Sequence, residues 1–176
     1  FNMDDGVRGG FWLTDSLPTA QLLESDGHLD ALQLTGGSSL LNPMYYFRGD
    51  VPMAEFIASQ PRAVGLGLRL IGHRLFRSYP FEEAFFLPLA RQFRTALSMP
   101  LMLLGGINRL DTARAAVAEG FEFVAMARAL LREPDLIDTF ARGGRDAGRC
   151  IHCMKCMPTV YSGTECVVRS ATTHRS

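Results

Sequence analysis

LMLLGGINRLDTARAAVAEGFEFVAMARALLREPD, residues 101–135, is the stretch on which the fold turns. Leu101 to Leu104 is a short continuous apolar run, the pattern of a strand buried on both faces. Gly105-Gly106 then brings bare backbone to the carboxyl end of that strand. Leu110, Ala113, Val117 and Ala118 form a helical stripe, and Gly120 follows where a helix C-cap is expected. Phe121 to Met126 reads as the next strand, with Ala127-Arg128 at its carboxyl end opening another helix. Two consecutive βα units that gather backbone N–H groups and one arginine at their carboxyl ends describe a phosphate-binding site. It is of the kind built after strands 7 and 8 of a (β/α)8 TIM barrel. The alternative is a parallel α/β unit whose glycines only make the turn.

Upstream, the first 14 residues read as a loop leading into a helix capped by Asp15 or Ser16 and ended near Ser25 by Asp26-Gly27. Leu29 to Leu34 is the next strand, finishing at Thr35-Gly36-Gly37-Ser38-Ser39, where hydroxyls and glycines either meet a ligand or simply turn the chain. Prolines 43, 52, 61 and 80 punctuate the segment that follows. Within it, Met53 to Ser59 reads as a short helix. Ala63 to Phe76, mixing Leu66, Leu68, Leu70 and Ile71 with Arg69 and Arg74, reads as an amphipathic helix packed on a neighbour rather than on a membrane surface. Phe85, Leu89, Phe93 and Ala96 share a helical face, with Pro88 in its first turn or at a kink.

The chain has 176 residues, below the ~250 of a complete barrel. It is expected to be the carboxyl-terminal part of one, about four βα units over residues 1–145, with a cysteine-containing tail over 146–176. Eighteen basic residues balance eighteen acidic ones, which gives no electrostatic case for nucleic acid or an anionic membrane. No apolar run reaches the roughly 18–20 residues of a membrane span. The expected setting is cytoplasmic. Expected partners are small-molecule substrates and, where it assembles, further copies of itself.

All four cysteines fall in one segment, as Cys150-x2-Cys153-x2-Cys156-x9-Cys166. Close thiolates of this kind can bind a zinc ion or an iron–sulfur cluster, or they can be unligated thiols in a packed tail. A disulfide framework is disfavoured, because the remaining residues look like a cytosolic enzyme without cysteines. His152 between them could replace one as a zinc ligand, but is read as an ordinary exposed residue.

Several motifs carry a family resemblance when taken in order. They are N-x-x-D-x-x-x-G-G over Asn2 to Gly10, LDALQLTGGSS, MPLMLLGGI, FEFVAMARALLREPDL and the CxxCxxC tail. The chain resembles the old yellow enzyme family, more narrowly the NADH:flavin oxidoreductases related to 2,4-dienoyl-CoA reductase. The resemblance implies an FMN-dependent barrel that takes hydride from NAD(P)H and passes it to an electron-poor alkene or related acceptor. It places the FMN phosphate on Gly105, Gly106, Ala127 and Arg128. The second pair is usually Gly-Arg in that family, so Ala127 is a departure, tolerable unless a positive φ is needed there. Arg128 would supply the charge and the forked geometry. The iron–sulfur members have a similar cysteine run, which implies a 4Fe–4S cluster, ahead of zinc, on Cys150, Cys153, Cys156 and Cys166. The gaps before the third and fourth cysteines are shorter here.

The family's other flavin contacts and its acceptor-binding pair would lie upstream. Tyr45, Tyr46, Tyr79 and Tyr161 do not match its tyrosine proton donor, so no catalytic residue is assigned. No complete GxGxxG occurs, which fits a barrel that receives hydride directly from NAD(P)H. The competing reading is a phosphate-binding TIM-barrel isomerase or synthase acting on a phosphorylated small molecule, which has no need of the cysteines. Alone, the chain is expected to be inactive.

Overall fold

The computed structural model describes residues 1–168; the polar run 169–176 at the end of the cysteine tail lies outside them. Three parallel strands form the centre: β1 (Leu32–Leu34), β2 (Leu101–Leu104) and β3 (Phe123–Ala125), in the order β1-β2-β3. Leu32 stands opposite Leu101 and Leu34 opposite Leu103, while Leu104 stands opposite Ala125. Beyond β1 the sheet continues. Asn2 bridges Thr35 in parallel, Met3 N–H donates to the Thr35 carbonyl at 2.8 Å, and Thr35 N–H donates to Phe1 at 2.8 Å. Four parallel segments therefore lie side by side in chain order.

β1 and β3 are shorter than their apolar runs. Leu29 is exposed and pairing starts only at Leu32, while Phe121 is buried below β3 as a plug rather than a ladder residue. β2 alternates fully buried Leu101 and Leu103 with half-buried Met102 and Leu104.

Helix α1 (Leu13–Asp26) ends on Gly27 at φ 72°, as expected of a left-handed cap. Its start differs from expectation. Trp12 is the N-cap and no side chain caps it; Asp15 lies in the first turn, and Ser16 is buried with its hydroxyl donating to the Met3 carbonyl at 2.6 Å. Ser16 ties the helix to the sheet instead of capping it.

Between β1 and β2 come α2 (Pro43–Phe47), α3 (Met53–Ala58), α4 (Arg62–Leu75) and α5 (Leu87–Ala96). The amphipathic helix α4 packs on α3 as expected, yet keeps Val64, Leu66, Leu70 and Ile71 exposed. Pro88 sits in the first turn of α5. The stripe on α5 is rotated by one position: Phe86, Ala90, Phe93 and Leu97 are buried, whereas Leu89 and Ala96 are only half-buried. α5 lies between α1 and β2, so its inward face is set by both.

After β2, α6 (Leu110–Ala118) packs on β3. Its expected stripe is also corrected. Ala116 is the buried residue and Val117 is 56% exposed, because the small Ala113–Ala116 face lets the helix lie close to the sheet. Two short helices follow, α7 (Arg128–Arg132) and α8 (Leu136–Ala141).

The main core joins Met3, Leu34, Phe86, Phe93, Leu101, Leu103 and Phe121. A second cluster joins Met44 and Phe76 to Met154, so the cysteine segment folds back against α2–α4 rather than trailing away. Among the described residues no helix is long and apolar enough to cross a membrane.

Candidate functional site

At the end of β2 the backbone turns through Gly105 at φ 129° and Gly106 at φ 74°, values that L side chains rarely adopt. Space forbids a side chain as well. A Cβ on Gly105 would stand 2.9 Å from the Phe86 ring, and one on Gly106 would stand 2.7 Å from the Phe85 ring. The Gly105 carbonyl accepts from Phe85 N–H at 2.9 Å, which presses the turn onto the segment leading into α5.

At the end of β3, Ala127 is the N-cap of α7 with φ −105°, an ordinary value for any residue. Alanine therefore stands there without strain, and the departure from Gly-Arg costs the turn nothing. The structure brings all four sequence-predicted residues together. Gly105, Gly106, Ala127 and Arg128 line one cavity of about 90 Å³, with Tyr46, Phe85 and His152 among its other walls. That volume exceeds what a single water needs and suits a phosphate-sized group.

Arg128 does more than line this cavity. Its Nη1 donates to the Arg48 carbonyl at 2.9 Å and meets the Met154 sulfur at 2.7 Å; its Nη2 donates to the Phe47 carbonyl. Of five N–H groups, two are left for an anion. Burial pulls its pKa down, while the thiols of Cys150, Cys156 and Cys153 pull it up. The same side chain lines a second, apolar cavity of about 650 Å³ with Phe47, Phe56, Leu68 and Met157, and a third beside the cysteines.

That third cavity, about 20 Å³, has Cys150, Cys153, Cys156 and Cys166 all on its wall, together with Arg132. The four thiols are half-buried. Arg132 reaches Cys166 Sγ at 3.7 Å. The segment is anchored just ahead of Cys150. The Glu133 carboxylate is buried and accepts from Arg145 and from the Arg149 N–H, while Asn108 Nδ2 donates to the Gly148 carbonyl at 3.2 Å. Burial raises the Glu133 carboxyl, but Arg145 and the Arg149 N–H outweigh it and hold the group below its ordinary value.

As positioned, no three His, Cys, Asp or Glu side chains among the described residues form a group that could hold a single metal ion. A four-iron cluster asks for a different arrangement, because it spreads its thiolates around a cube of iron and sulfide. The four thiols share the wall of that small cavity with Arg128 and Arg132.

His152 corrects its sequence reading. It is half-buried at φ 57°, stacked on Phe81 with centroids 3.3 Å apart, and lines both the cavity at the glycine turn and the cysteine cavity. Burial first, then Arg128, pushes its pKa down to about 4.

Sequence reasoning also missed a group at the carboxyl end of β1. Tyr45 donates to the buried Asp4 carboxylate at 3.3 Å, and burial, then Asp4, pushes the phenol up to about 12. Arg48 stacks over Phe85 at 4.6 Å between Tyr45 and Tyr79. These residues come from four separated segments, and only the aromatic YYF run hints at them. The Thr35 hydroxyl nearby is buried without a partner.

No protein-family model matches the chain. Over 171 residues, 97% of the chain, it is 68% identical to the 4,4'-dithiodibutanoate disulfide reductase of Rhodococcus erythropolis. The chain spans 42% of the length of that relative.

Proposed function

We propose that this chain is part of an FMN-dependent (β/α)8-barrel oxidoreductase that carries reducing equivalents from NADH or NADPH to a small organic disulfide. The observation that carries the reading is the meeting of Gly105-Gly106 with Ala127-Arg128 around one phosphate-sized cavity, at the carboxyl ends of adjacent parallel strands. Ligands of parallel α/β folds bind at that end of the sheet. Four parallel segments in chain order, with α1, α5 and α6 packed along them, support an arc of such a barrel. FMN, when bound, supplies the two-electron carriage.

A disulfide replaces the alkene expected from the family resemblance, because the Rhodococcus relative is a disulfide reductase. The balance is simple. A hydride's two electrons break the S–S bond, and one solvent proton completes two thiols and an oxidised nicotinamide. The phosphosugar-isomerase reading explains neither the cysteine cavity nor the relative.

The test grafts this chain in place of the aligned segment of the Rhodococcus reductase. Anaerobic NADH or NADPH should bleach a visible flavin band, and 4,4'-dithiodibutanoate should restore it with two thiols formed per disulfide. A yellow protein that neither nicotinamide bleaches, or that the disulfide fails to reoxidise, would overturn the reading.

A further inference from the structure

The geometry points to Arg48 as a carboxylate-binding residue for the acceptor, so that the site selects disulfides whose chains end in a carboxylate. This rests on the disulfide-reductase reading and adds the substrate class to it. The Arg48 guanidinium forms no ion pair with any described residue, and its Nε is buried with no hydrogen-bond partner. A buried cationic donor left open in this way calls for an anion.

Its walls are aromatic: Phe85 at 4.6 Å, Tyr45 at 5.6 Å and Tyr79 at 5.9 Å from the guanidinium carbon. Such walls exclude water and strengthen whatever charge pairing forms between them. The Asp4 carboxylate nearby forms no ion pair with Arg48; it accepts from the Tyr45 hydroxyl and the Gly6 N–H.

The backbone tells the same story. Arg48 sits at φ 37°, ψ 137°, a combination rare for any residue other than glycine. It is held there from every side. Its N–H donates to the Met44 carbonyl at 2.9 Å, its carbonyl accepts from Arg128 at 2.9 Å, and Gly49 N–H donates to Tyr79 at 2.9 Å. Strain this thoroughly fixed is a feature of ligand clamps.

Position supplies the rest. Phe85, on which Arg48 stacks, is the ring that abuts Gly106 in the phosphate turn, so the cation stands one ring's width from the proposed cofactor cavity. Arg128, the residue assigned to the phosphate, also buttresses the peptide that presents Arg48. In a butanoate disulfide three methylenes separate sulfur from carboxylate. A cation beside the cofactor cavity is placed to hold that carboxylate at a fixed reach from the sulfur.

The grafted reductase described above is assayed with 4,4'-dithiodibutanoate and with its uncharged bis-amide. The dicarboxylate should be preferred in kcat/KM. Arg48→Gln should cut that preference at least about tenfold, and Arg48→Lys should return part of it. An unchanged preference in Arg48→Gln would overturn the assignment even with the reductase active. Should the graft reduce neither disulfide, the functional reading fails, and binding then decides this point alone. In the grafted protein, its fold checked by circular dichroism and its arginines labelled with nitrogen-15, butanoate should shift the Arg48 Nε–H resonance and butanamide should not. Equal shifts, or none, would remove the carboxylate site.

Discussion

A methyl group at residue 106 would meet the Phe85 ring at 2.7 Å and would have to be carried at φ 74°. Gly106→Ala is therefore expected to lower stability by roughly 2–4 kcal/mol, read as a shift of the urea midpoint at constant m-value. Ala127→Gly should cost less than about 1 kcal/mol, since φ −105° suits alanine already. Equal effects at the two positions would contradict the assignment of distinct backbone roles. Both glycines were legible in the sequence because a bare backbone at a strand's end leaves a visible letter. Arg48 was not. Its orphaned Nε exists only because Tyr45, Tyr79 and Phe85 come together from separate segments. Tyr45 gives a pH test at the same scale. Its phenol is raised from 10.0 to about 12, so the folded state holds the proton more tightly than the unfolded chain. That contribution is whole below pH 10 and is lost as pH rises towards 12. A tyrosinate absorbance titration should show a late step near pH 12 that Tyr45→Phe removes; a wild-type titration that Tyr45→Phe leaves unchanged near pH 12 would contradict it.

At the scale of elements, the sequence pattern located α1, α3 to α6 and the start of α7, missed the short helices α2 and α8, and misplaced some of the faces. On α5 the core takes Phe86, Ala90, Phe93 and Leu97, because α1 and β2 both press on that side. Phe93 is 0% exposed, so Phe93→Ala should cost about 3–5 kcal/mol, while the half-buried Leu89→Ala should cost clearly less. Comparable losses in denaturant unfolding would mean that the stripe lies where the sequence alone puts it. α6 teaches a related lesson. Hydrophobicity nominates Val117, but the helix buries Ala116, since close approach to β3 favours the smallest side chain. Capping was misread at α1 for another reason. Ser16 has good cap chemistry, yet a buried carbonyl at Met3 lies within reach and claims the hydroxyl. Local signals of this kind name a residue's capability, and tertiary neighbours decide which capability is used.

Across the whole molecule, Arg128 joins three regions that the sequence presents as separate: the glycine turn, the apolar cavity beside α2–α4 and the cysteine cavity. The clustering of four cysteines was plain in their spacing, whereas the anchoring of their segment by Glu133 and Asn108 needed the fold. Anaerobically prepared protein should carry about four irons per chain, with broad visible absorption that is lost in Cys150→Ser and Cys156→Ser. One zinc per chain, or no metal at all, would count against the cluster. The central claim is that the two turns grip the phosphate of FMN, and comparing FMN with riboflavin, which lacks that phosphate, tests it most directly. In the grafted reductase, flavin fluorescence quenching should give a much lower Kd for FMN than for riboflavin. Arg128→Ala should shrink that preference at least about tenfold, in keeping with one charge-assisted contact. A preference for FMN that survives Arg128→Ala undiminished would contradict the account.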